Sequence, residues 1–290
     1  MNKADYQDYE VEDSLMEGLS SSFHGTNEYV ASEQLLNAVN VAITLQKPLL
    51  IKGEPGTGKT MLAEAIAKAL DKELIIWNIK STTKAQEGLY VYDTIQRLYD
   101  GQFGEEGVDD ISRYIKLGKL GEAFKSEKQV ILLIDEIDKA DLEFPNDLLW
   151  ELDQMEFYIN ETKETVKANQ RPIVIITSNA EKELPDAFLR RCIFHYIDFP
   201  EADLMEEIVR THFPDVDDNI LKYAFSAFYD IRAMKDIRKK PSTSELIDWI
   251  NVLQISGIPA ERIQKELPFI GVIVKKDEDL ETVKQKMALN

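Results

Sequence analysis

Several common features are missing from this sequence, and each absence removes a class of protein. There is a single cysteine, Cys192, so no intrachain disulfide framework can form and a reducing compartment is expected. Its side chain reads as buried packing. No stretch approaches 18 consecutive apolar residues, which leaves no candidate for a membrane-crossing helix. The segment from Met1 to Ser20 is acidic and polar where a secretory signal needs a basic start and an apolar run, so the expected location is the cytoplasm. Internal repeats and low-complexity tracts are also absent. Positive charge is scarce: 34 Lys and Arg stand against 53 Asp and Glu, a formal net charge of -19. Such a surface repels phosphate backbones and anionic lipid, so binding to nucleic acid or membrane would need a local basic patch. The candidate patch is Arg232, Lys235, Arg238, Lys239 and Lys240, read as a solvated helix face.

What is present suits a soluble globular protein with a large core: 44% of residues are hydrophobic and 30% charged. A length of 290 residues suggests one principal domain and a smaller second one. Residues 1–28, rich in acids, Ser and Gly without a sustained period, read as an acidic leader. From Ser32 to Leu45 apolar residues recur at helical spacing behind a Ser N-cap. Pro48 to Ile51, Glu73 to Ile79, Val130 to Ile134 and Ile173 to Thr177 are apolar runs with the look of parallel strands covered on both faces. Helical patterns separate them, as at Lys59 to Leu70, Leu120 to Lys125 and Leu142 to Leu152. The expected class is α/β, a three-layer αβα core with a central parallel sheet over residues 29–201. After Phe199-Pro200 the patterns turn helical, which predicts a small helical lid domain and C-terminal tail over 202–290.

The chemistry concentrates around one loop. Gly53-Glu54-Pro55-Gly56-Thr57-Gly58-Lys59-Thr60 matches G-x-x-x-x-G-K-[ST] between a strand and a helix. Gly56 and Gly58 let the backbone turn so that successive N–H groups face phosphate oxygens, helped by the helix N-terminus. Lys59 is expected to reach the β and γ phosphates of ATP, and the Thr60 hydroxyl to ligate Mg²⁺. The expected nucleotide contacts run from Gly53 to Thr60 and on to Met61. The run Ile131-Leu132-Leu133-Ile134-Asp135-Glu136 ends an apolar strand in two acids. Asp135 would sit by the metal, and Glu136 would polarise an attacking water. Asn179 lies 44 residues after Asp135, at the end of another apolar strand, where its amide could hold that water or a γ-phosphate oxygen. Pro185 begins a short helix ending in Arg190-Arg191. These arginines either offset the helix dipole or present a guanidinium to a transferring phosphoryl group, including that of a neighbouring subunit.

In this order the elements resemble the AAA+ ATPases: GEPGTGKT as Walker A, LLIDE as Walker B, TSN as sensor 1 and FLRR as arginine fingers. Within them, ADLEFPNDLLWELDQMEFYI and LPDAFLRRCIFHYIDFP are similar to the MoxR-type branch. The resemblance implies a sheet of order 5-1-4-3-2, a helical lid, a helix-2 insert at about 83–108 and a hairpin at about 156–166. It implies a ring, usually a hexamer, in which Arg190 or Arg191 completes the neighbour's site. It also implies a protein client to remodel, activate or mature, often through metal-cofactor insertion with a von Willebrand factor A domain partner. By the same analogy Tyr29 and Val30 flank the adenine or simply pack. One position departs: Ser244 stands where the sensor 2 arginine is expected, with Lys239 or Lys240 as substitutes. The segment Gly88-Leu89-Tyr90-Val91-Tyr92 offers aromatics that either grip a client or pack in the insert. Competing readings are a nucleotide-gated binding module with hydrolysis as a timer, a P-loop kinase, and a DNA motor, the last opposed by the acidic charge balance.

Overall fold

The computed structural model describes residues 23–26 and 29–287. Among them the strands, in chain order, are β1 Leu49–Gly53, β2 Leu74–Asn78, β3 Tyr90–Tyr92, β4 Ile115–Leu117, β5 Ile131–Asp135, β6 Glu156–Ile159, β7 Glu164–Lys167, β8 Ile173–Ser178 and β9 Ile193–Ile197. The helices of the first two-thirds are α1 Glu33–Leu45, α2 Lys59–Ala69, α3 Ala85–Leu89, α4 Thr94–Phe103, α5 Lys119–Lys125, α6 Phe144–Asp147, α7 Leu149–Gln154 and α8 Asp186–Leu189. Those that follow are α9 Ala202–His212, α10 Asp218–Ala233, α11 Thr243–Ser256, α12 Ala260–Glu266 and α13 Asp277–Lys286.

Five strands make a central parallel sheet in the order β2-β5-β8-β1-β9. Counting only these five, the order is 5-1-4-3-2, as the resemblance implied. The unbroken apolar runs are explained by burial on both faces. In β5, Ile131 and Leu133 pack against α1 and α2, while Leu132 and Ile134 pack on the opposite side with Phe124 and Trp77. This is the three-layer αβα arrangement. β9 differs from the other sheet strands: Ile193, His195 and Ile197 are half-buried, while Phe194 and Tyr196 are exposed. An edge strand of this kind carries an alternating, mixed pattern, and the apolar-run criterion passed over it.

α1 begins as expected at Ser32, whose hydroxyl accepts from Leu35 N at 3.3 Å. Of the segment read as a leader, residues 1–22 and 27–28 lie outside the described residues. Phe23, within that segment, is buried in the core, and its backbone exchanges two hydrogen bonds with the Asn40 side chain at 2.7 and 3.0 Å. Leu142 to Leu152, read as one helix, is divided into α6 and α7 at Leu148. The segment read as an insert holds α3, β3 and α4, and β3 pairs antiparallel with β4, which lies beyond it at Ile115–Leu117. β6 and β7 form the second antiparallel ribbon.

The helices from α9 onward build their own core around Met205, Phe228, Leu246, Trp249, Leu253 and Val283. Each such side chain, fully buried, contributes roughly 1.5–3 kcal/mol. α11 opens with a capping box: Ser242 N donates to Glu245 Oε2 at 2.7 Å, and Glu245 N donates to Ser242 Oγ at 3.4 Å. The basic cluster is not a helix face. Lys235, Arg238, Lys239 and Lys240 lie exposed on the turn after α10, whereas Arg232, inside α10, is 9% exposed. Arg232 shares the buried face of Leu221, Ala224 and Phe228, which its helical phase dictates. Cys192 is half-buried, and burial pushes its thiol up to about 12, which makes it inert packing. No helix among the described residues is long and apolar enough to cross a membrane.

Candidate functional site

β1 delivers the chain into the glycine-rich loop at the C-terminal end of the sheet. Gly56 and Gly58 adopt φ of 77° and 80°, a region that an L side chain enters only with strain. A Cβ on Gly56 would also lie 2.8 Å from Ser242 Cβ, because the start of α11 crowds the loop. A Cβ on Gly53 would lie 2.8 Å from the Ile197 carbonyl oxygen of β9. Thr57 Oγ1 donates to the Glu54 carbonyl at 2.9 Å, and Pro55 is exposed at the tip. Lys59 is 6% exposed and donates from Nζ to the carbonyls of Gly53 at 2.9 Å and Glu54 at 2.7 Å. Burial holds its ammonium below the ordinary lysine range, opposed by the charges of Asp138, Asp135, Glu136 and Glu54.

Sheet register assembles the acids. β8 lies between β1 and β5, with Ile134 opposite Ile176, so Thr177 falls beside Asp135. Thr177 is fully buried. Its hydroxyl donates to Asp135 Oδ1 at 2.6 Å and accepts from Glu136 N at 2.8 Å. From α2, Thr60 Oγ1 donates to the two Asp135 oxygens at 3.1 and 3.2 Å. The hydroxyl and carboxylate therefore meet at one point, a hard-oxygen pair suited to Mg²⁺ with waters completing the shell. Glu136 sits in the left-handed region at φ 58°, at a cost of roughly 1–3 kcal/mol. Its bond to Thr177 and the start of a 3₁₀ turn at Ile137–Lys139 compensate for that.

Asn179 is brought to the same place, but its amide meets an amino acid instead of open space: Nδ2 donates to Glu136 Oε1 at 2.7 Å. The other Glu136 oxygen pairs with Lys139, and the Glu136 carboxylate holds the Lys139 ammonium above its ordinary value. Asp138, 2% exposed, fixes the turn after β8 by accepting from Asn179 N at 3.3 Å and Glu181 N at 2.9 Å.

Beside the loop lies a cavity of about 100 Å³ shared by the core and the helical segment. Tyr29, Val30, Gly58 and Met61 line one wall, and Ile208, Thr211, Thr243 and Ile247 another. Burial pushes the Tyr29 hydroxyl well above the ordinary tyrosine range, so it stays a neutral phenol. Thr243 Oγ1 is buried with no hydrogen-bond partner among the described residues.

Outside the cavity, Arg232 ties the helical segment to the phosphate loop. Its Nη2 lies 2.9 Å from Glu54 Oε2, Nη1 donates to the Pro241 carbonyl, and the guanidinium stacks on the Phe199 ring with Cζ 3.2 Å from its centroid. Ser244 lies against Gly56, Lys239 pairs with Glu245 at 2.9 Å, and Lys240 is exposed. Arg232 is thus a cation of the helical segment bonded to the phosphate loop. Arg190 and Arg191 are not brought to the site within one chain. Arg191 pairs with Asp153 at 2.5 Å and donates to the Ala187 carbonyl at 2.8 Å. Arg190 is exposed, and its side chain makes no hydrogen bond or ion pair among the described residues; its backbone N–H donates to the Asp186 carbonyl at 3.1 Å.

Sequence reasoning named Lys59, Thr60, Asp135, Glu136 and Asn179, and these five converge. It gave no site role of their own to Thr177, which it named only within the TSN element, to Asp138 or to Thr243, and it read Arg232 only as part of a solvated basic face. A hydroxyl ending an otherwise apolar strand was the available sign for Thr177, and helical phase for Arg232. Nothing local marks Asp138 or Thr243.

The family that the sequence matches agrees with this geometry. A family model described as AAA domain (dynein-related subfamily) matches residues 48–192, half of the chain. An uncharacterised protein of Staphylococcus haemolyticus is 27% identical over 277 residues, covering 91% of this chain and 98% of that protein. Midasin of Giardia intestinalis is 26% identical over 214 residues, 70% of this chain but 4% of midasin. A solved structure from Cytophaga hutchinsonii aligns with a TM-score of 0.47 at 14% identity, covering 82% of this chain and 81% of that one. With residues 48–192 spanning the phosphate loop, both acids and Asn179, the chain belongs to the AAA domain family, dynein-related subfamily, whose members are nucleotide-binding AAA+ proteins.

Proposed function

We propose that this protein is an Mg²⁺-dependent ATPase of MoxR type that hydrolyses ATP in an oligomeric ring, a hexamer by resemblance, to remodel or activate a protein client. A von Willebrand factor A domain protein is the partner class the resemblance favours. The observation that carries the reading is the convergence of Lys59, Thr60, Asp135, Glu136 and Asn179 at one sheet edge. Glu136 takes a proton from water as the water oxygen bonds to the γ-phosphorus and the bond to the β–γ bridging oxygen breaks, releasing ADP and phosphate. Lys59, which now satisfies two loop carbonyls, exchanges them for phosphate oxygens. Thr60 and Asp135 would hold Mg²⁺, which when bound supplies positive charge to the phosphate oxygens. Asn179 orients Glu136 through the bond between their side chains. Arg190 serves as the finger for a neighbouring subunit, because Arg191 is already engaged by Asp153.

The test is steady-state ATPase activity against protein concentration, for wild type, Glu136→Gln, Arg190→Ala and Arg191→Ala, with ATP binding measured in each. Specific activity should rise with concentration. It should fall by about 10³ or more in Glu136→Gln and Arg190→Ala, with binding retained. Undiminished turnover in Glu136→Gln would falsify its role, and concentration-independent activity untouched by Arg190→Ala would sink the shared site.

A further inference from the structure

α4 is an amphipathic helix mounted inside out. The residues facing the rest of the protein are polar: Arg97 donates to Tyr92 Oη at 2.7 Å, and Tyr114 Oη donates to Asp100 at 2.9 Å. The residues facing solvent are apolar: Ile95 is 82% exposed, Leu98 69%, Tyr99 56% and Phe103 64%. None of the ten residues of α4 is buried. At 3.6 residues per turn these four side chains share one stripe, and the Tyr99 and Phe103 rings, 4.4 Å apart, close its far end. A cavity of about 460 Å³ opens between Leu98 and Val108, beside Gly101. Hydrophobic surface held outward by a polar anchoring face is surface kept for contact.

The surroundings say what kind of contact. Glu105, Glu106, Asp109 and Asp110 follow the helix, all exposed. The nearby cations are outnumbered: Arg97, bonded to Tyr92, Arg113, bonded to the Glu106 carbonyl, and Lys116, paired with Asp93, stand against these four acids together with Asp93 and Asp100. The stripe is therefore rimmed by negative charge. A second copy laying the same acidic rim against this one would add like-charge repulsion to a chain already at -19. Of the segment Gly88 to Tyr92, an alternative grip, only Val91 is exposed, and Tyr92 is half-buried with its hydroxyl bonded to Arg97. Gly88 and Tyr90 are buried, and a Cβ at Gly88 would lie 2.1 Å from the Trp77 ring.

We propose that the outer face of α4 is the docking surface for the protein client, and that it takes a polypeptide segment of large apolar side chains flanked by Lys or Arg. The stripe from Ile95 to Phe103 is roughly 12 Å long, enough for about four residues of extended chain or two turns of helix. Apolar contact supplies affinity, and the acidic rim supplies on-rate and selection for basic flanks. The inference rests on the client reading above, and it names where that client binds and by what chemistry.

The experiment measures fluorescence anisotropy of two labelled peptides with the same Leu-Phe core, one flanked by lysines and one by glutamates, against the full-length protein. The lysine-flanked probe should bind, with affinity that falls as salt rises, while the glutamate-flanked probe should bind at least tenfold more weakly. Ile95→Ser/Phe103→Ser should weaken the lysine-flanked probe by on the order of tenfold or more without changing ATPase activity. Glu105→Lys/Asp109→Lys should reverse the preference between probes. Equal binding of both probes, or unchanged binding by the serine variant, overturns the proposal. Loss of self-association in the serine variant, seen by sedimentation with neither probe bound, assigns α4 to a second copy and overturns it too. ATPase activity is read separately: its absence from the wild type would sink the hydrolytic function and leave the anisotropy result to judge α4.

Discussion

Thr177 shows how much of a catalytic arrangement can hang on one hydroxyl. It accepts from Glu136 N and donates to Asp135, so it holds both acids and satisfies the backbone that carries Glu136 through a left-handed φ. Thr177→Val keeps the shape and removes both bonds. We expect destabilisation of about 1–3 kcal/mol from the unsatisfied N–H and carboxylate. Nucleotide hydrolysis should fall much further than nucleotide affinity, because Lys59 and the loop are untouched. Thermal unfolding together with a separate measurement of turnover and binding checks this; equal losses in both would mean Thr177 acts on loop geometry instead. Lys59, Asp135 and Glu136 were legible in the sequence because their spacing to glycine or to an apolar run is local. Thr177 was not, because its partners are 41 and 42 residues away and only strand register unites them.

At the scale of elements, α10 carries its most informative residue near its last turn. Arg232 is held by Phe199, the Pro241 carbonyl and Glu54, which join α10, the start of α11 and the phosphate loop. Arg232→Met keeps the aliphatic stem and loses all three polar or cation–π contacts. The expected cost is about 1–3 kcal/mol, moderated because the Glu54 carboxylate is partly solvated. Arg232→Lys should recover little, since an ammonium cannot fork between Glu54 and Pro241. Chemical denaturation of the two variants distinguishes a forked contact from a simple charge effect, which lysine would rescue. The turn after α10 is fixed from α13 in a similar way: Asp279, 1% exposed, accepts from Arg238 N at 2.9 Å and Lys239 N at 3.0 Å. Burial alone would raise its pKa, and the two N–H donors outweigh burial and hold it below the ordinary carboxylate value. The folded pKa lies below the unfolded one, near 3.9, so the stabilisation is complete above about pH 4–5 and is lost as pH falls through the folded value. Asp279→Ala should destabilise the protein by about 1–3 kcal/mol at pH 7 and flatten its acid-limb stability below pH 4. Urea titrations across pH 2–7 read this directly, and an unchanged acid limb would argue that Asp279 is not held low. These contacts escaped the sequence because neither Arg232 nor Asp279 carries any local mark of its partner.

Taken whole, the molecule places one cavity against two structural units. Tyr29, Met61 and Gly58 come from the α/β part, and Ile208, Thr243 and Ile247 from the helical part. A nucleotide seated there should stabilise both units together, by about 2.7 kcal/mol when its concentration is a hundred times its Kd. Hydrogen exchange with and without nucleotide should therefore slow at the start of α11 as well as across Gly53 to Thr60. Protection confined to the loop would show that the helical unit forms no part of the site.

The sequence by itself determined the phosphate loop, both acids, the four long apolar strands and the helical character of the last third. These follow from short-range rules: glycine at positive φ, a strand buried on both faces, and a helix reading out a stripe every 3.6 residues. Only the tertiary structure decided that Asn179 would meet Glu136, that Arg232 would reach Glu54, and that Arg191 would turn to Asp153 while Arg190 stayed exposed. It also decided which face of α4 points outward. Partners 38, 43 and 178 residues apart are joined by sheet register and by the packing of one unit on another, and no local pattern encodes either.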